Sequence, residues 1–139
     1  MKLPLTLLAI ALTAAGCATT NKEPPPKPFT GTRWAVLLEL PLAGEQPNFR
    51  FGDGRMEGFG GCNQVTARYV QDTVGARAIA IGRIEKGFNA CDRSTGDAED
   101  RFLEVLQSVS SYSIIADKMT MSGSGGSLKF EAMPAEARK

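Results

Sequence analysis

The stretch "GFGGCNQ", residues 58–64, decides how the rest of the chain is read. It holds three glycines, one of the chain's three cysteines, and an asparagine directly after that cysteine. Such a stretch serves as an active-site loop, as a metal loop, or as backbone geometry around a disulfide. The choice depends on where the chain resides and on the other two cysteines.

The ends of the chain speak to location. At 139 residues the length suits one domain. Lys2 begins a short basic start, "LPLTLLAIALTAAG" follows, and Cys17 comes next. This is the pattern of a secretory signal peptide over residues 1–16, too short for a comfortable membrane span. "TAAGC" resembles a bacterial lipobox, with Ala14 where Leu is usual, so lipid is expected on Cys17. Ordinary cleavage, leaving a soluble periplasmic protein, is the alternative. Ala18 after the cysteine favours outer-membrane sorting by analogy with enteric rules. Within residues 17–29, "ATTNKEPPPKP" (18–28) reads as a tether, since its clustered prolines favour polyproline II. At ~3.1 Å per residue it spans up to about 34 Å. "MPAEARK" (133–139) is a polar tail, which leaves 30–132 as the folded domain.

Charge and residue content exclude several functions. Sixteen basic and fifteen acidic residues give a net charge of +1, with no basic patch, so nucleic acid is not an expected partner. The chain has no histidine. That removes the usual base for a thiol or serine nucleophile. It also leaves too few ligands for a zinc site, and the cysteines form no CxxC pair. No S-x-x-K occurs, and "GSGSGGS" lacks the ending of a phosphate-binding loop. With Cys17 assigned to lipid, Cys62 and Cys91 remain, and exported chains usually pair such a remainder. A disulfide there closes a loop of about thirty residues, worth ~3.5 kcal/mol in the chain-entropy model.

Hydrophobic patterning supplies the architecture. "TRWAVLLEL" places Trp34, Val36 and Leu38 on one strand face. "NFRFGDGRMEGFGG" reads as a hairpin turning at Asp53-Gly54, with Phe49, Phe51 and Met56 inward. "QVTARYVQ" alternates through Val65, Ala67 and Tyr69. "ARAIAIGRIE" sets Ile79 and Ile81 against Ala78 and Ala80, and the small second face suggests close packing there. One helix follows Cys91, with Ser94, Thr95 or Asp97 as its cap. Its apolar stripe is Ala98, Phe102, Leu103, Leu106 and Val109. Asp97, Glu99 and Asp100 are read as helix-start electrostatics, with a cation or catalytic carboxylate site as the alternative. "YSIIA", a turn at Asp117-Lys118, "MTMS" and "LKFEA" close the domain. The expected fold is α+β and mainly antiparallel: a curled meander or partial barrel of about seven short strands with one packed helix.

Several of these pieces, taken in order, resemble the META domain family, which includes HslJ-like bacterial envelope lipoproteins. They are Trp34 in "TRWAVLLEL", "GRMEGFGGCN" with Gly58, Gly61, Cys62 and Asn63, then Tyr69 and "IEKGFNAC" with Cys91. "AEDRFLEVLQSVSSYSI" and "MTMSGSGGSLKFE" complete the match. The chain departs from the family at Gly87 and Asn89, where Thr and Met are frequent. The resemblance implies a compact envelope domain without established catalytic residues, among relatives associated with heat stress and antibiotic tolerance. Its fold has been likened to a pilot lipoprotein with a lipid-binding groove, which is an analogy of fold only.

Three functions follow. The first is a binding or envelope-stress module acting on an envelope protein, a peptide or a lipid, expected to be a monomer and to need no cofactor or metal. The second is a structural module without ligand. The third is a hydrolase using Glu57, Asp53 or Asp97. The first two are separated by a pocket: an apolar cavity favours binding, and a filled barrel interior favours the structural module. On this reading the glycines of 58–64 shape a sheet corner, and Asn63 tolerates a left-handed backbone or caps the next turn. If Cys62 and Cys91 form one staple, Cys62→Ser and Cys91→Ser lower the melting temperature equally, as calorimetry would show. Unequal losses, or none, refute the staple.

Overall fold

The structure is a computed structural model that describes residues 16–17, 21–72 and 77–135. The leader apart from Gly16, the sorting residue Ala18 and the last four residues of the tail lie outside the described residues. Nine strands and one helix are described: β1 (Arg33–Leu37), β2 (Asn48–Gly52), β3 (Arg55–Phe59), β4 (Gln64–Gln71), β5 (Ile79–Ile81), β6 (Glu85–Lys86), α1 (Arg93–Ser108), β7 (Val109–Ile115), β8 (Lys118–Gly123) and β9 (Gly126–Ala132). All the strand pairings are antiparallel, in the order β5-β4-β3-β2-β1-β9-β8-β7, with β6 added to β4. An isolated bridge between Ala78 and Ser111, with the Tyr112 amide donating to the Arg77 carbonyl at 3.1 Å, brings the two edges together. The sheet is therefore a nearly closed barrel, which leaves little edge unpaired.

Period-two alternation fills this barrel. Trp34, Val36, Phe49, Phe51, Met56, Val65, Met119, Met121 and Phe130 have no accessible surface. Helix α1 packs Phe102, Leu103 and Leu106 onto the same core, with the Phe102 ring 6.2 Å from that of Phe49. Gln107 fixes the helix to the chain after β5. Its amide nitrogen donates to the carbonyls of Ile81 (2.7 Å) and Gly82 (2.6 Å), and its oxygen accepts from the Ile84 amide at 3.1 Å. The Asp53-Gly54 hairpin forms as expected, with φ of 50° and 70°, the positive pair of a two-residue hairpin turn.

The structure corrects several expectations. Phe29, assigned to the tether, is a core residue. Its ring lies 4.6 Å from Phe51 and 4.8 Å from Tyr112, and its carbonyl accepts from the Trp34 indole at 3.1 Å. The ordered chain already contacts the barrel at Lys27, whose amide donates to the Ala116 carbonyl. Ala78 and Ala80 face solvent, so their small size does not mark close packing. The β7–β8 turn sits at Ala116-Asp117, with Ala116 at φ 53°. Val109 is not helical but begins β7.

The helix also starts earlier than its acidic cluster suggests. Asp92 is the cap, and no acidic residue lies in the first turn. The Asp92 carboxylate accepts from the Ser94 hydroxyl, the Thr95 hydroxyl (2.6 Å) and the Thr95 amide (3.0 Å). These bonds hold its carboxyl down to about 2. A depressed pKa contributes stability above the unfolded value of about 3.9, and that stability is lost as pH falls through 2. Asp92→Ala therefore lowers the melting temperature at pH 7, and the deficit shrinks between pH 4 and pH 2. A deficit independent of pH would count against the charged cap.

Candidate functional site

The barrel has two distinct ends. The turns 53–54 and 116–117 and the chain entry at Lys27 occupy one. At the other, the segment 38–47 meets the corner 60–63, with Leu42 against Gly61. The opening stretch forms this second corner. Gly58 lies in β3 opposite Phe49, and the chain then turns through Gly60 and Gly61. Gly61 adopts φ 106°, a conformation side chains disfavour, and a Cβ at Gly60 would stand 2.5 Å from Glu99 Oε2.

That contact explains the corner. Glu99 projects from the buried side of α1 and has no accessible surface. Its Oε2 accepts from the successive amides of Cys62 (2.9 Å) and Asn63 (2.8 Å), and its Oε1 accepts from Asn63 Nδ2 (2.7 Å). Lys86 Nζ stands 3.7 Å from the same carboxylate and pairs closely with Asp100. Asp100 raises the Lys86 ammonium above the usual lysine range against partial desolvation, and Glu99 adds to the rise. Glu99 is thus neither helix-start electrostatics nor a free catalytic carboxylate. Its oxygens are spent on the corner. Asn63, whose φ is not positive, spends its side chain the same way: Oδ1 accepts from the Asn89 amide at 2.8 Å.

The second cysteine segment is fastened to this corner. Cys62 and Cys91 form a disulfide with a Cα–Cα distance of 5.9 Å. Asn89 Nδ2 donates to the Cys62 carbonyl at 3.1 Å, and the Gly87 amide donates to the Gln64 carbonyl at 3.1 Å. Between these ties stands Phe88, whose side chain is fully exposed, at 102% of its reference area. The apolar alternation of the sequence gives no notice of it. Of the other motif residues, Trp34 is in the core, opposite Phe49 in the register that pairs Phe49 with Gly58, and Cys17 is exposed and outside the disulfide.

A second feature lies outside the barrel wall. A groove of about 910 Å³ runs over the outer face of β2, β3 and β4, walled by residues 82–85. Arg50, Arg55, Arg68 and Arg83 line it, together with Asp53, Glu57 and Glu85. Of the three carboxylates considered for hydrolysis, Asp53 and Glu57 share this groove and Asp97 does not. An acid–base carboxyl pair needs one member kept protonated, by an apolar pocket or by a second carboxylate close by. The groove walls are charged, and Glu57 is 62% exposed beside Arg55. Among the described residues, no group of three or more Cys, Asp or Glu is placed to hold a metal.

The family model of the META domain matches residues 27–134. The chain belongs to the META domain family. Its matched span begins at the residue where the tether first bonds to the barrel, which agrees with Phe29 being part of the fold. No match was found among curated proteins. Among solved structures, the META domain is similar to a protein from Burkholderia xenovorans determined by NMR, at 17% identity and a TM-score of 0.63, covering 94% of this chain and 99% of that one. It is also similar to a duf4847 family protein from Bacteroides vulgatus, at 14% identity and a TM-score of 0.54, covering 74% and 93%. A further NMR structure matches at 11% identity, with a TM-score of 0.57 and coverage of 74% and 90%. These likenesses establish the fold and carry no activity.

The corner yields a direct test. Glu99→Ala strands the buried amides of Cys62 and Asn63, at about 1–3 kcal/mol for each unsatisfied donor. Urea denaturation of the oxidised protein should register that loss, and Gly60→Ala should also destabilise by crowding the carboxylate. A Glu99→Ala protein as stable as the native one would remove Glu99 from its place at the corner.

Proposed function

We propose that this META domain is a non-catalytic binding module of the bacterial envelope, held at the membrane by lipid on Cys17. Its ligand is a periplasmic protein that receives Phe88 in an apolar pocket. Phe88 carries this reading: a fully exposed aromatic ring whose backbone is tied on both sides. An exposed Phe on a fixed backbone has less freedom to lose on binding than one on a loose loop, and aromatics are what interface anchors are made of. Leu40, 82% exposed in the adjacent segment 38–47, adds apolar surface at the same end. The tether enters at the opposite end, near 116–117, so the anchored domain offers Phe88 away from the bilayer. That orientation favours a protein over the lipid surface.

The filled interior supports a second reading, a structural spacer without ligand, because no lipid chain can enter a barrel occupied by Trp34, Phe49, Phe51 and Phe130. The two readings part in a living cell. A photo-crosslinking amino acid at position 88 of the membrane-extracted, lipid-bearing chain gives a discrete protein adduct if Phe88 docks. The same residue at position 115, exposed at the tether end, gives none. Cys17→Ser releases the chain from the membrane and abolishes the adduct. Equal yields at both positions, or none at either, would support the spacer.

A further inference from the structure

The outer face of β2 to β4 carries more positive charge than its neighbours balance: four arginines share it with three carboxylates, and Glu57 stands both opposite Arg50 and beside Arg55. The register of β3 and β4 places Arg55 directly opposite Arg68. Like charges in that position destabilise an antiparallel pair. Elsewhere the same barrel does the reverse: Lys118 faces Glu131 across β8 and β9, and the two ion-pair at 2.6 Å. Among the described residues, Arg50, Arg68 and Arg83 make no ion pair, and Arg55 reaches Glu57 only at 3.9 Å. All four arginines open into the groove of about 910 Å³, a volume suited to a small molecule.

We propose that this groove is a binding site for a polar ligand bearing one phosphate or carboxylate group, which Arg55 and Arg68 grasp together. The planar guanidinium fork matches an oxyanion in geometry as well as charge. A bridging oxyanion turns the Arg55–Arg68 repulsion into a shared attraction. The three carboxylates of the lining define the rest of the ligand. Asp53, Glu57 and Glu85 accept hydrogen bonds from hydroxyl groups and repel a second negative charge. A nucleic-acid strand, charged at every step, is disfavoured by them. A polyhydroxylated ligand with a single anionic group, such as a sugar phosphate or sugar acid, satisfies both halves of the lining. The groove is also rigid on its far wall, because the Gly82 amide bonds to the Arg68 carbonyl at 2.8 Å. This site is separate from Phe88 and stands or falls without it.

The test uses the full chain with Cys17→Ser, titrated with glucose 6-phosphate, glucuronate or glucose while amide resonances are followed by NMR. A parallel arm sediments the same chain with vesicles of phosphatidylglycerol or of phosphatidylcholine alone. The two anionic sugars shift resonances in β3, β4 and residues 82–85, weakening as salt is raised, and glucose does not. Sedimentation with phosphatidylglycerol vesicles and no response to the soluble sugars would place the same anionic group on a lipid headgroup. Arg68→Glu weakens binding at least tenfold and raises the melting temperature, because its new pair with Arg55 is complementary. Arg68→Lys weakens it severalfold, and Lys129→Glu on the other side of the barrel leaves it unchanged. A silent response in every arm, undiminished binding by Arg68→Glu, or equal loss by Lys129→Glu overturns the proposal.

Discussion

A carboxylate without access to water is the constraint around which this domain is arranged. Removing an ionised group from solvent is costly unless its oxygens are met by donors of good geometry. Glu99 meets two successive backbone amides, one side-chain amide and, at longer range, a lysine. Successive amides converge on one oxygen only if the backbone curls, and the glycines at 60 and 61 permit the curl. The helix therefore dictates the shape of a corner 36 residues earlier in the chain. The disulfide acts on the same corner by a different route. It narrows the unfolded ensemble, while the carboxylate network stabilises the folded state. Reduction thus weakens the domain as a whole without dissolving the corner.

How much of this was legible depended on whether the signal was periodic. The inward faces of β1 through β4, the hairpin at Asp53-Gly54 and the helical stripe at Phe102, Leu103 and Leu106 repeat at the spacing their elements require, and the structure contains them. Strand β6 has two residues and therefore no period. Phe29 follows a run of prolines, and composition alone drew it into the tether although its ring completes an aromatic cluster with Phe51, Tyr69 and Tyr112. The helix start was ambiguous for a physical reason: Asp92, Ser94, Thr95 and Asp97 are all good capping residues, and only the backbone shows which one turns. Glu99 was hidden by its neighbours, since an acid between Asp97 and Asp100 looks like surface charge. The one available signal was the residue count, which places Glu99 on the Phe102, Leu103 and Leu106 side of the helix.

The filled barrel moves the question of function to the outside. A META domain with Trp34, Phe49 and Phe130 at its centre has no room for a chain of lipid, so the analogy with a lipid-holding relative of similar fold does not extend to a mechanism. What remains is surface, and the surface is uneven. The tether end carries two tight turns. The wall over β2 to β4 carries four arginines. The corner end carries the exposed ring of Phe88.

The position of the stabilising devices bears on that unevenness. The barrel's own pairing and core account for its closure, and neither Cys91 nor Asn89 belongs to that core. Yet the disulfide, the Asn63–Asn89 bond and the Gly87–Gln64 bond all converge on residues 87–91, a segment that buries almost nothing. Fixing a segment that contributes no burial gains little for the fold beyond the loop entropy removed by the cross-link. It gains more for recognition, because an anchor whose backbone is already fixed loses less freedom when a partner arrives. The proposed docking role of Phe88 makes sense of a staple placed where the core does not need one.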